Sequence, residues 1–174
     1  LIDVMLDVSR LRRGALAIWP KPTDLAQLVR RVADGFAEQA ASSGCEISVH
    51  APPALSGVWD EFRMEQVLVN LLTNAVRYGP GKPVEITLDS LPGSARITVR
   101  DEGRGIDPTD HERIFGQFER AVEKDQLPGL GLGLYITRQI LAAHGGTVSV
   151  KSQSGQGATF TVTLPVDASP ARHE

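Results

Sequence analysis

The sequence predicts an α+β fold, a two-layer α/β sandwich in which one mixed, mostly antiparallel sheet carries helices on one face. Three observations lead there. Alternating runs come in neighbouring pairs, "VEITLD" with "ARITVR" across Pro92-Gly93, and "TVSVKS" with "ATFTVTLP" across "SGQG", the spacing of hairpins. Helical patterns stand between these groups instead of following every strand. Within the strands apolar and polar residues alternate, so one sheet face needs a cover and the other meets water.

Taken in order, residues 1–13 place Leu1, Met5, Val8 and Leu11 near helical spacing, with Ile2 and Leu6 beside them. A helix that short is marginal alone and needs a partner. Gly14, Pro20 and Pro22 break the pattern, and 14–23 reads as a linker. Thr23 or Asp24 then caps a helix to about Ser43, with Leu25, Leu28, Val29, Val32 and Phe36 as its apolar face and Gly44 as its stop. "CEISVH" alternates as a strand, and "GVW" is a second short extended piece. Asp60 caps a long helix that buries Met64, Val67, Leu68, Leu71, Leu72 and Ala75 and ends at Gly79-Pro80-Gly81. After the first hairpin come the loop "DEGRGIDP", a short helix near 109–114, a polar stretch "ERAVEKDQLP" and a helix from about Gly131 to His144. Residues 166–174 read as a disordered tail.

At 174 residues the chain is one domain or one domain with an appendage. Its 41% hydrophobic and 22% charged residues suffice for a sizeable core. A net charge of -3 and a pI of about 5.8 give no support to nucleic-acid or membrane-surface binding through bulk charge. Cys45 stands alone, which excludes an internal disulfide framework and suits a reducing compartment. No apolar run approaches the ~20 residues of a membrane helix. The chain opens without Met and in mid-helix pattern, as a piece of a longer protein would.

Three glycine-rich segments stand out: "DEGRGI", "GLGLGL" at 129–134 and "SGQGATF" at 154–160. Any one alone reads as a tight turn. "GLGLGL", however, opens a helix, where free amides and the helix dipole suit phosphate oxygens. It is no Walker loop, since no Gly-Lys-Ser/Thr follows, and no βαβ unit surrounds it. Asn70 and Asn74 lie four apart, on one face of the long helix, and both interrupt an apolar stripe. Asparagine is a poor residue in mid-helix, and its amide needs a partner. A side-chain carbonyl is also a ligand for a hard cation such as Mg²⁺. Arg77 and Tyr78 at the end of that helix offer a phosphate contact and a packing or hydrogen-bonding group.

In order, "NLLTNAVRY", "DEGRGI", "IFGQF", "GLGLGLYI" and "GQGATF" resemble the ATP-binding catalytic domain of two-component sensor histidine kinases. Their wider group takes in DNA gyrase B subunits, heat-shock chaperones of the ninety-kilodalton class and mismatch-repair ATPases, and shares the Bergerat ATP-binding fold. The resemblance covers roughly 24–165 and implies a protein-histidine kinase using ATP and Mg²⁺. It implies that Asn74 coordinates Mg²⁺ between the ATP phosphates, that Asn70 assists through phosphate or water, and that Arg77 lies near the phosphates. Tyr78 would lie by the nucleotide. Asp101 would accept from the adenine amino group, Gly103 and Gly105 would let the backbone pass beside the base, and Ile106 would line the same pocket. Phe115 and Phe118 would pack at the base of a lid spanning about 116–130. Gly129, Leu130, Gly131, Leu132, Gly133 and Leu134 would form the lid hinge and the phosphate-facing helix start. Thr159 would help hold Asp101 and a water near adenine. Adenine offers Asp101 a donor where guanine offers a carbonyl, and two facing acceptors cost about 1–3 kcal/mol, enough to select ATP over GTP.

The resemblance also implies partners. Residues 1–13 look like the last turns of the second dimerisation helix, so the acceptor histidine would lie on a dimerisation domain outside this chain. A response regulator would act downstream. The domain would be cytoplasmic, in a parent that spans upstream could anchor to the membrane, and homodimeric through its bundle; the chain alone would be a monomer or weak dimer. His111-Glu112 mimics an acceptor dipeptide but falls on the short helix before the lid, and His144 ends a helix, a structural position. His50 and His173 are too scattered to form a metal site. Two rival readings are a self-contained ATPase clamp and a nucleotide-binding regulatory module or anti-sigma-type serine kinase. The first needs a glutamate base where Asn70 stands; the second lacks a helix like 1–13.

Overall fold

The computed structural model describes residues 16–116 and 132–169. Residues 1–13, the lid beyond residue 116 and the end of the tail lie outside the described residues.

The elements are β1 (Lys21–Asp24), α1 (Leu25–Ser42), β2 (Ile47–His50), β3 (Ser56–Trp59), α2 (Glu61–Tyr78), β4 (Val84–Leu91), β5 (Ser94–Asp101), α3 (Gly133–Ala143), β6 (Thr147–Ser152) and β7 (Ala158–Pro165). Five strands form a sheet in the order β2-β4-β5-β7-β6, and only the β2–β4 pair is parallel. Val84, Ile86 and Leu88 of β4, Ala95, Ile97 and Val99 of β5, and Phe160, Val162 and Leu164 of β7 are buried on one face, together with the apolar sides of the three helices. The opposite face carries Glu85, Asp89, Arg96, Arg100 and Lys151, with an Arg96–Asp89 ion pair of 3.1 Å. Alternation along each strand sorts these residues, so the sandwich follows from the pattern. Among the described residues no helix is long and apolar enough to cross a membrane.

Asp24 caps α1. Its Oδ1 accepts from the backbone N–H groups of Ala26, Gln27 and Leu55 at 3.0, 3.3 and 3.1 Å, tying the helix start to the loop before β3. Thr23, the other candidate, is a buried residue of β1 whose hydroxyl donates to Lys21 O at 2.9 Å. Asp60 caps α2 by accepting from Arg63 N at 3.1 Å.

Three expectations change. The linker over 14–23 contains β1, which pairs antiparallel with β3, and Leu16 is buried in the core, so the domain begins before residue 24. Prolines 20 and 22 mislead because Pro is tolerated on an edge strand. The tail is ordered through at least Ala168: Val58 N donates to Val166 O at 2.8 Å, Ala168 N donates to Val58 O at 2.9 Å, and Ala168 is buried. Both segments close around Trp59, which is fully buried and donates Nε1–H to Pro165 O at 2.8 Å. The short helix near 109–114 is two 3₁₀ turns, Pro108–Asp110 and Arg113–Phe115, a length that 3₁₀ geometry serves.

His144 holds the structural position expected of it. It is 2% exposed, accepts from Asp60 N through Nε2 at 3.1 Å and donates Nδ1–H to Ile140 O at 2.8 Å. Burial pushes its pKa below the usual histidine value, against the opposing pull of the Ile140 carbonyl and Asp60. It is therefore a neutral strut joining the start of α2 to the end of α3. The unfolded imidazole takes up a proton as pH falls through about 6.5, whereas the folded one resists, so this group's contribution to stability drains away below that pH. Denaturant unfolding at pH 7.5 and 5.5 should show a loss that shrinks in His144→Asn.

Candidate nucleotide-binding site

Three chain segments meet at one end of the sandwich. α2 runs from its Asp60 cap to Tyr78 and carries Asn70, Asn74, Arg77 and Tyr78 toward its C-terminal end. β5 ends at Asp101, and α3 starts at Gly133. Two contacts tie the other segments to α2. Asn70 Nδ2 donates to Gly133 O at 3.2 Å, and Arg104 N donates to Tyr78 O at 3.3 Å. One helical turn separates Asn70, Asn74 and Tyr78, so Asn74 lies between the two ties, about 6 Å along the axis from Asn70.

Asp101 is 6% exposed and faces the helix side of the sheet, in phase with Val99 and Ile97. Burial dominates and raises its pKa above the ordinary carboxylate range, opposed by the N–H groups of Gly103 and Ala158. Gly103 N donates to Oδ1 at 2.9 Å. A carboxylate has about four acceptor sites, and these donors leave room for another. Such a group, at a strand end beside a helix with exposed amides, fits a ligand that brings an N–H.

The glycines of "DEGRGI" stand against protein backbone. A Cβ on Gly103 would run into Tyr78 O, and a Cβ on Gly105, whose φ is +73°, would run into Gln153 O. Gly157 likewise leaves no room against Asp101 O, and its N–H donates to Gly103 O at 2.9 Å. The loop is threaded between the end of α2 and the β6–β7 turn, so its glycines admit protein backbone. Gly105→Ala combines a left-handed residue with a backbone clash and should destabilise the protein by more than about 2 kcal/mol without any nucleotide. Thermal unfolding of the ligand-free variant checks this.

Thr159 is not beside Asp101. Register pairs Asp101 with Ala158, whereas Thr159 pairs with Arg100 and Lys151. It lies between buried Ala158 and Phe160 and so points to the uncovered face. The residue opposite Asp101 is Ala158, which offers an N–H and no hydroxyl. A one-residue shift exchanges sheet faces, and that is why this expectation fails.

Ile106 is half-buried and packs on the core, its N–H donating to Ser152 Oγ at 2.8 Å. Phe115 is buried edge-to-face on Phe160, with ring centroids 6.2 Å apart. Leu132, 2% exposed, belongs to the core, which leaves its backbone alone for a ligand; Leu134 is partly buried against the same core. Leu132 occupies the cap position of α3 without a side-chain cap, so the first-turn N–H groups have no side-chain acceptor there. Phe118, Gly129, Leu130 and Gly131 lie outside the described residues. Arg77 and Asn74 are half-exposed; neither has a side-chain partner among the described residues. Tyr78 has Arg104 over its ring, the guanidinium carbon 4.8 Å from the centroid. Sequence reasoning missed Arg104 and Thr137; the latter is a fully buried hydroxyl on α3, visible in hindsight as a polar residue in helical phase with Ile140 and Leu141. Among the described residues no three His, Cys, Asp or Glu cluster as a metal site. A cation here would depend on the Asn carbonyls and on oxygens of its ligand.

A buried strand-end carboxylate, an asparagine-bearing helix and an uncapped glycine-led helix on one sandwich define a class, the ATP-binding α/β sandwich. The chain belongs to the histidine kinase-, DNA gyrase B- and HSP90-like ATPase family, whose model matches residues 59–168. Sensor protein SrrB of Staphylococcus aureus strain MRSA252 is 32% identical over 168 residues, 95% of this chain and 29% of SrrB. The chain thus spans less than a third of the curated relatives it matches. Full-length ShkA, solved in complex with AMPPNP, aligns with a TM-score of 0.84 at 33% identity over 94% of this chain and 35% of that one. The nucleotide-free catalytic domain of the histidine kinase ThkA aligns at 0.77 and 27% identity, over 87% of this chain and 98% of that domain. The chain carries the ATP-binding catalytic domain of the sensor histidine kinase branch.

Proposed function

We propose that this domain transfers the γ-phosphoryl group of ATP to a histidine on the dimerisation domain of its parent, for relay to a response regulator. The bond from the γ-phosphorus to the β,γ-bridging oxygen breaks, a P–N bond forms, and ADP leaves. The observation that carries the reading is Asp101, a buried carboxylate with room for a further donor at the end of β5. It would accept from the adenine amino group, with Tyr78, steadied by Arg104, beside the base. Asn74, whose amide is free, would hold Mg²⁺ against the phosphates, and Mg²⁺ would offset the charge that develops on them. Arg77 and the N–H groups opening α3 would receive phosphate oxygens. Positioning and charge neutralisation then supply most of the catalysis.

Asn70 is not placed as a water-activating base. An amide takes up no proton, and its Nδ2 is engaged with Gly133 O. This favours transfer over hydrolysis and weighs against a self-contained ATPase clamp. Residues 1–13 fit the end of the dimerisation helix, and about 116–130 a lid over the nucleotide. A cytoplasmic domain of a homodimeric, membrane-anchored parent completes the proposal. The decisive experiment mixes this chain, Mg²⁺ and labelled ATP with a separate dimerisation domain bearing the acceptor histidine. Acid-labile label on that partner is the expected result; rapid phosphate release with no partner present would overturn it.

A further inference from the structure

A buried hydroxyl in α3 has no task in the proposed reaction. Thr137 is fully buried, and its Oγ1 donates to Gly133 O at 2.8 Å. That bond alone is common, since a helical Thr often returns its proton to the carbonyl four residues back. The second contact is less ordinary. Asn70 on α2 reaches across and donates Nδ2–H both to Gly133 O, at 3.2 Å, and to Thr137 Oγ1, at 3.4 Å. Two donors from two helices thus converge on the first carbonyl of α3, and the hydroxyl is donor to one member of the triangle and acceptor from the other.

We infer that Thr137 is a positioning residue: with Asn70 it clasps the first turn of α3 to α2 and sets the orientation of the Asn70 carboxamide. The reverse orientation would set Oδ1 against Gly133 O, acceptor on acceptor, an arrangement that a buried pair avoids. With Nδ2 turned to the Gly133 carbonyl, Oδ1 has no donor among the described residues. It is therefore left for a ligand. Gly133 opens α3, so the clasp also fixes where its first-turn N–H groups point. A Val at position 137 would keep the volume and lose both of the hydroxyl's bonds, leaving the Gly133 carbonyl as the one group on α3 that holds the carboxamide.

This inference rests on the nucleotide reading for its ligand, but its geometry can be tested without one. Thr137→Val and Thr137→Ser are compared with the unaltered chain. In hydrogen exchange without nucleotide, the bonded amides of Ile136 and Thr137 should exchange about 10-fold faster in Thr137→Val and within about twofold of the unaltered rate in Thr137→Ser, because the serine hydroxyl restores the clasp. In calorimetric titrations, Thr137→Val should raise the Kd for Mg-ATP about 5- to 10-fold and leave that for adenosine unchanged, because adenosine has no phosphates to meet the α3 turn or Asn70. Equal losses for Mg-ATP and adenosine would mean general damage and would overturn the inference. So would a Thr137→Ser variant as impaired as Thr137→Val, or a Thr137→Val variant with native exchange. A native chain that bound no Mg-ATP would sink the nucleotide reading, and the exchange result would still decide the clasp.

Discussion

Asn74→Ala is expected to leave the domain folded and to lower phosphoryl transfer to the acceptor domain by more than about 100-fold, because in the proposed reaction it removes a ligand of the charge-neutralising cation, a loss of several kcal/mol in the transition state. The two halves of this result have separate causes. Asn74 is half-exposed and its amide bonds to nothing among the described residues, so the fold loses no contact. Alanine is also the better helix former, by up to about 0.7 kcal/mol, so the melting temperature should hold or rise. Radiolabel on the acceptor domain and a thermal melt are the two measurements. Transfer within tenfold of the native rate would remove Asn74 from the reaction, whatever the melt showed.

Asp101→Asn comes next in size. The change keeps the shape and replaces one acceptor oxygen by an NH₂ group. The native carboxylate accepts from Gly103 N at 2.9 Å and faces the N–H of Ala158. An Asn in that place can keep one of these bonds, but its NH₂ then faces either the Ala158 N–H or the adenine amine, donor against donor. An unmet buried pair costs about 1–3 kcal/mol, which raises the Kd for ATP roughly 5- to 150-fold. Selectivity over GTP should fall at the same time, because an NH₂ can donate to the guanine carbonyl. The pH profile carries a further sign. Burial raises the pKa of Asp101, and protonation turns an acceptor oxygen into a donor. ATP binding should therefore weaken as pH falls into a range above that of an ordinary carboxylate, and the weakening should vanish in Asp101→Asn. Titrations of both nucleotides at several pH values measure all of this.

Much of this was legible before any coordinates. Asp24 and Asp60 cap their helices because a short carboxylate ahead of an apolar 3.6-residue period satisfies free N–H groups locally. The hairpins, the buried rows of β4, β5 and β7, and the strand-end position of Asp101 follow from alternation of period two. What failed had its cause farther along the chain. β1 formed despite Pro20 and Pro22 because Ser56–Trp59 offered it an edge. Residues 166–168 became ordered because the other side of β3 and the Trp59 indole needed partners.

The sequence by itself therefore settled the sandwich and the caps of its first two helices, since those depend on neighbours one to four residues away. Only the tertiary structure decided that Ala158 and not Thr159 meets Asp101, that Gly103 and Gly105 make way for protein backbone, that His144 is a neutral strut, and that Thr137 joins Asn70 on Gly133. Each of these turns on sheet register or on two helices meeting across many residues of chain, and no local periodicity encodes either.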